Sequence, residues 1–205
     1  MKKILIFAVI VIVAFVAYWF VFKPKNPTKV EAEKQQPIKL KTHSDTFNIA
    51  TQQAIDSYLK MKNSFIEADT NAIKNNARSF LNLISDIPYS EMKNDPGNIY
   101  DAIIVTVDDL KNNTNLLIQQ SDIQGMRKNF SSISDLLYPG FLKMINYEGT
   151  NLYIQHCPMA FDDERGANWL NETNEILNPY MGKTHPQYKG TMLHCGEVVD
   201  SLTFQ

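Results

Sequence analysis

The sequence predicts a mainly α protein: an antiparallel four-helix bundle with a small C-terminal β-hairpin and loop element, preceded by an N-terminal transmembrane helix. Three observations carry this reading. The chain opens with 19 uncharged, almost wholly apolar residues. Four later stretches repeat apolar side chains at steps of three and four. After Gly149 the composition changes again, to turn residues interspersed with both cysteines and three of the four histidines.

Lys2 and Lys3 precede the opening run from Ile4 to Phe22, and Lys23 closes it. As a helix rising about 1.5 Å per residue, the run nearly matches a hydrocarbon core roughly 30 Å thick. A cleaved secretory signal has a shorter apolar region, about 7 to 15 residues, followed by small residues. Tyr18, Trp19, Phe20 and Phe22 stand in that place, so residues 1–23 are expected to be an uncleaved anchor with aromatic rings at the membrane interface. Such an anchor most often leaves the bulk of the chain outside the cytoplasm. Residues 24–44 hold Pro24, Pro27 and Pro37 among lysines, with few large apolar side chains, and read as a flexible, extended tether.

The formal net charge is −2, from 20 Lys and Arg against 22 Asp and Glu. Setting aside the three lysines that flank the anchor makes the remainder more acidic still. Nucleic acid is therefore excluded as an expected partner, because phosphate neutralisation needs a basic face.

Residues 45–146 are expected to form the bundle. Phe47, Thr51, Ala54, Tyr58, Met61 and Phe65 share one face of a helix starting after Ser44 or Asp45. A second helix follows Asp69 and Thr70, with Ile73, Ala77, Phe80, Ile84 and Ile87 inward and Pro88 at its end. The third is expected to start with Asp95 as cap and Pro96 at a first helical position, carrying Ile99, Ile103, Val107, Leu110, Thr114 and Leu117. Ser121 and Gln124 have capping-box spacing and open the fourth, with Ile123, Met126, Phe130, Ile133 and Leu137 before Pro139 and Gly140. Metal sites inside bundles use inward Glu and His. These stripes contain neither, so their methionines and aromatics are core.

Residues 147–205 form the expected C-terminal Cys/His/Met element, packed on the bundle. "NLYIQHC" reads as a strand ended by Pro158 and "TMLHCGEVV" as a second strand. Trp169, Pro179 and Tyr180 are expected to pack the long connection against the bundle. The stretch "HCPM" sets soft sulfur donors beside an imidazole, a set that suits copper(I) or, with different partners, zinc.

In order along the chain, "HCPMA", "GANWL", "EILNPYMG" and "MLHCGEV" resemble the bacterial domain-of-unknown-function 3347 family, over roughly residues 50 to 200. Members of that family occur as exported proteins and fused to periplasmic adaptor subunits of heavy-metal efflux pumps. The resemblance implies a helical bundle with a small C-terminal element outside the cytoplasm, associated with copper or related metals; together with the anchor expected at residues 1–23, it places the soluble domain in the periplasm, held to the inner membrane. Cys157, Met159, Met192 and Cys195 match the family's motif positions, and His156 fits them. His194 and the insert containing His185 depart from the pattern. The implied partners are a metal ion and heavy-metal efflux adaptor or pump proteins.

Two readings of the cysteines stay open. Exported proteins sit in an oxidising compartment, and a Cys157–Cys195 disulfide would close a loop of nearly 40 residues. Alternatively the thiolates ligate metal. Side chains in a strand alternate faces, so Cys157 opposite Cys195 would leave His156, Met192 and His194 on the reverse face as a thioether and imidazole set. If Pro158 breaks the strand early, Met159 turns back beside both cysteines as a sulfur-rich site. The candidate metal residues are thus His156, Cys157, Met159, Met192, His194 and Cys195. Asp162, Asp163 and Glu164 lack the spacing and glycine of a calcium loop and read as a solvated turn. No enzymatic activity is expected, because neither a base-orienting motif nor a C-x-x-C pair is present. The expected function is soft-metal binding for sequestration or delivery to an efflux system. The rival is a disulfide-stabilised interaction module of the cell envelope that binds no metal.

Overall fold

The computed structural model describes Tyr18, residues 42–161 and residues 165–203. The expected transmembrane helix and most of the tether lie outside the described residues, as does the acidic turn at 162–164. Among the described residues no helix is long and apolar enough to cross a membrane.

Helix α1, Asp45–Glu67, starts where the Ser44 hydroxyl accepts the Phe47 amide at 3.1 Å, the expected cap. It stops at Ala68, which adopts a left-handed φ of 57°. Asp69 then caps α2, Thr70–Asp86, by accepting the Ala72 amide at 2.9 Å. Both expected apolar stripes are buried along their length. Pro88 cannot continue a helix, and α2 ends two residues before it.

The start of the third helix differs from expectation. Pro96–Asn98 is a separate 3-10 turn, and α3 runs from Ile99 to Gln119. Gly97 and Asn98 both take positive φ, 77° and 56°, so the chain reverses there before a helix can begin. Helix α4, Ile123–Asp135, is capped by Asp122 rather than Ser121. Its carboxylate accepts the Gly125 amide at 2.9 Å and adds a negative charge at the positive end of the helix dipole. Nor does the helical path stop at Pro139. A wide π-type turn, Leu136–Phe141, takes the proline in by extending Tyr138, and Leu142–Met144 adds a final turn.

Successive helices pack on one another, α1 on α2, α2 on α3 and α3 on α4. Phe130 of α4 stacks on Tyr58 of α1, with centroids 5.2 Å apart, and contacts Phe65 at 4.7 Å. The chain is mainly helical, with a small antiparallel sheet at the C-terminal end.

That sheet has three strands in place of the expected two. Strands β1 (Leu152–Phe161), β2 (Arg165–Asn171) and β3 (Glu197–Leu202) lie in the order β2-β1-β3, with both pairings antiparallel. "GANWL" is itself strand. Pro158 does not end β1: it is exposed at the point where the β2 register slips, between Cys157 and Phe161, so its missing amide costs no regular ladder bond.

Residues Thr191–Gly196 are turn rather than strand. The amides of Thr191, Leu193 and Cys195 are spent three residues back, on Tyr188, Gly190 and Met192. Gly196 then takes φ 138° against the His156 carbonyl and the Trp169 ring, a place where a Cβ would lie 2.7 Å from that oxygen. Only after it does the chain enter the ladder.

The sheet is joined to the helices through buried polar groups. The Tyr58 hydroxyl lies 2.7 Å from Ser134 Oγ and accepts the Leu170 amide of β2 at 3.1 Å. Lys62 of α1, 2% exposed, donates to Asn171 Oδ1 at 2.6 Å. Trp169, Pro179 and Tyr180 are buried against this join, as expected.

Burial pushes the Lys62 ammonium down to about 8, against the pull of Glu172 and Glu175. The folded state therefore releases this proton before the unfolded chain does, whose lysines titrate near 10.5. Lys62 should make stability rise with pH from about 8 towards 10, by on the order of 1 kcal/mol per unit, a rise that the raised Cys195 thiol offsets above about 9 and that buried Tyr58, Tyr89 and Tyr180 then reverse. Urea unfolding of Lys62→Met across this window should lack the rise. An unchanged slope would place its origin elsewhere.

Candidate functional site

The six candidate residues distribute over β1 and the Thr191–Gly196 turn, and their surroundings differ. Cys157 lies on β1 opposite Ala167 of β2 and is fully buried. The β1–β3 register pairs His156 with Glu197, so Cys195 stands two residues beyond the last pair. There the turn carries it back over the sheet. Its Sγ lies 2.7 Å from Cys157 Sγ, although 38 positions separate the two in sequence. Both are free cysteines, Cys157 enclosed and Cys195 partly exposed.

The turn is held without help from sulfur. The Asn178 amide donates to the Leu193 carbonyl at 2.8 Å, and its side-chain Nδ2 donates to the Cys195 carbonyl at 2.8 Å. Asn178 Oδ1 accepts the amides of Tyr180 and Met181 at 2.8 and 3.1 Å, filling both of its acceptor sites. His194 Nδ1 donates to the Ile176 carbonyl at 2.8 Å. Burial, reinforced by the neighbouring Cys157, pushes the Cys195 thiol up to about 12. Two adjacent thiolates would repel each other in a poorly solvated place, so the pair retains a proton at neutral pH.

His156 faces away from the sulfurs. Its Nδ1 lies 2.8 Å from Asn168 Oδ1, and Asn168 Nδ2 donates to Asp135 Oδ1 at 3.0 Å. An amide oxygen only accepts, so Nδ1 carries the proton and Nε2 the lone pair. That edge lies over Gly166, where a Cβ would come within 2.6 Å of Nε2. His194 is exposed, and its bond to Ile176 likewise leaves Nε2 as the acceptor. The strand alternation invoked to gather His156, Met192 and His194 on one face does not hold, because Met192 and His194 lie in a turn.

Met159 and Met192 are half-buried against the core. Met159 also lines a cavity of about 510 Å³ with Lys128, Phe161, Met181, His185 and Tyr188. His185 Nδ1 accepts the Gln187 and Tyr188 amides at 3.3 Å each and stacks on Tyr188. Burial, with the charge of Arg127, pushes its pKa down, so the ring is neutral and committed to its own turn. Among the described residues no group of three or more His, Cys, Asp and Glu side chains is placed to hold a metal ion.

Asn178, Asn168 and Gly196 were not singled out from sequence, although they set this geometry. The Asn178-Pro179 dipeptide is a turn signal and pointed to a bend, yet not to the carbonyl it would hold. Asn168 and Gly196 carry no local signal, since their partners are distant in sequence.

Residues 54–146 match the family described as "Protein of unknown function (DUF3347)". The match spans α1 from Ala54 through the last helical turn and ends before the four C-terminal motifs that suggested the resemblance. No curated protein and no solved structure matches the chain.

Asn178→Ala removes the three side-chain hydrogen bonds that tie the Cys195 carbonyl to the Tyr180 and Met181 amides, leaving the backbone bond to Leu193, and should cost roughly 2–4 kcal/mol in urea unfolding of the reduced protein. Asn174→Ala, at an exposed position, should stay within about 0.5 kcal/mol. Equal effects would show that Asn178 does not secure the turn.

Proposed function

Residues 54–146 match the DUF3347 family, and from that premise we propose that the chain binds a soft metal ion, copper(I) foremost, at the Cys157–Cys195 pair. The observation that carries this is the meeting of two cysteine sulfurs from distant segments, held by bonds that do not involve sulfur. The donor chemistry fits: thiolate and thioether ligands select copper(I), with zinc as the borderline competitor. Met159, two residues beyond Cys157, and Met192, three before Cys195, are the thioethers nearest in sequence to each cysteine. Binding would displace the proton that the Cys195 thiol retains, so affinity would rise with pH. In this proposal the metal is cargo. An antiparallel four-helix bundle, anchored by residues 1–23 in the inner membrane, would present the pair in the periplasm for sequestration or for delivery to an efflux adaptor or pump.

A second reading rests on the same pair. The raised Cys195 thiol disfavours the thiolate that metal requires, and the sulfurs are near enough to be joined with little movement. The chain would then be a disulfide-stabilised module that docks on another envelope protein.

Copper(I) titration of solubilised full-length protein separates the two. The reduced chain should take up one equivalent, and Cys157→Ala or Cys195→Ala should abolish uptake. Met159→Leu or Met192→Leu should weaken it about tenfold, roughly 1.4 kcal/mol. Binding that survives loss of both cysteines and falls with His156→Ala or His194→Ala would move the site to the imidazoles. No binding by the reduced chain leaves the docking module.

A further inference from the structure

We infer that Cys195 is a thiol–disulfide exchange site through which a disulfide-bearing partner opens and closes the Cys157–Cys195 pair. The inference rests on the paired thiols of the preceding reading and adds a control to it, because a closed pair offers no thiolate to a metal.

Three features of the fold assign the role. The sulfurs already touch, at 2.7 Å, so joining them needs no rearrangement of β1 or of the turn. Asn178 and Ile176 hold the turn in place, so the dithiol does not drift apart once reduced. Access is unequal: Cys157 has no exposed surface, whereas Cys195 is partly exposed. An incoming sulfur can therefore reach only Cys195. Distance in sequence told against redox exchange, which ordinarily uses a C-x-x-C pair. The sheet and turn supply the proximity that sequence spacing does not.

In the closing direction, the Cys195 thiolate attacks the partner's disulfide. A mixed disulfide forms at Cys195, and one partner sulfur leaves as thiolate. Cys157 then attacks Cys195 Sγ, forming the intramolecular bond and expelling the second partner sulfur. The two protons lost by the cysteines pass to the two departing thiolates, so the pair is oxidised and the partner's disulfide reduced. Opening reverses these steps, with the partner's thiolate attacking Cys195 and Cys157 as leaving group.

Glutathione disulfide is a suitable probe. Folded Cys157→Ser should accumulate a single glutathione adduct on Cys195, because no resolving sulfur is present. Cys195→Ser should acquire none until urea exposes Cys157. Limited alkylation of the reduced wild-type chain, mapped by peptide, needs no substitution and should label Cys195 at least about tenfold faster than Cys157. Wild-type protein treated with the probe should pass to the closed form, which should not bind copper(I). Equal labelling of the two cysteines, or an adduct on folded Cys195→Ser, overturns the assignment of Cys195. Copper(I) binding by the closed form overturns the control. If exchange occurs as described but the reduced chain ignores copper(I), the metal proposal fails and the exchange site stands. If copper(I) binds and the pair resists exchange, the reverse holds.

Discussion

A buried hydroxyl group lies at the centre of the join between the helices and the sheet of this fold. Tyr58 Oη, wholly buried on α1, accepts the Leu170 amide of β2 and meets Ser134 Oγ of α4. Ser134 Oγ itself donates to the Phe130 carbonyl, so the tyrosine must donate to the serine, and every group in the chain of bonds has a partner. A buried hydroxyl left unpaired would be costly. The bond set therefore fixes where β2 crosses the helices. Burial also drives the tyrosine pKa well up, keeping it neutral and able to donate.

Once β2 is placed, the rest follows by register. β1 pairs with β2 and turns Cys157 into the interior, while β3 on the far side of β1 starts only at Glu197. Gly196 makes the bend that this late start requires, because the His156 carbonyl and the Trp169 ring leave no room for a side chain. Cys195 is thereby brought over Cys157. Chemistry at the sulfur pair is thus a consequence of sheet register, secured at the other end of the turn by Asn178. His156 belongs to a different arrangement on the same strand, in which Asn168 and Asp135 hold its ring and tie the sheet to the end of α4.

The helices were legible because their information is local. Apolar spacing marked the whole inward stripe of α2 and α3, and capping residues marked the first two starts; on α1 it missed a second buried face, with Ile55, Leu59, Lys62 and Ile66. Errors arose where neighbouring residues compete for one role. Asp122 takes the cap from Ser121, and Gly97 with Asn98 postpones α3 past Pro96. The C-terminal element was less legible, because the faces of its residues depend on partners far along the chain. "TMLHCGEVV" reads as a strand, yet its first six residues lie outside the ladder, with the amides of Thr191, Leu193 and Cys195 spent in turns. Both readings of the cysteines, a disulfide or a pair of metal-ligating thiolates, brought Cys157 and Cys195 together, and spacing left open which of the two they form; neither Asn178 nor Gly196 announced the part it plays.

The central claim is that the fold itself, with no sulfur bond, holds Cys157 and Cys195 together. A trivalent arsenical such as phenylarsine oxide tests it directly, because arsenic must bind two adjacent thiols and lose its oxygen as water. Reduced, folded full-length protein should take up one equivalent, bridging Cys157 and Cys195 in the mapped peptides, and unfolding in urea should release it. A reduced, folded chain that takes up none would contradict the account.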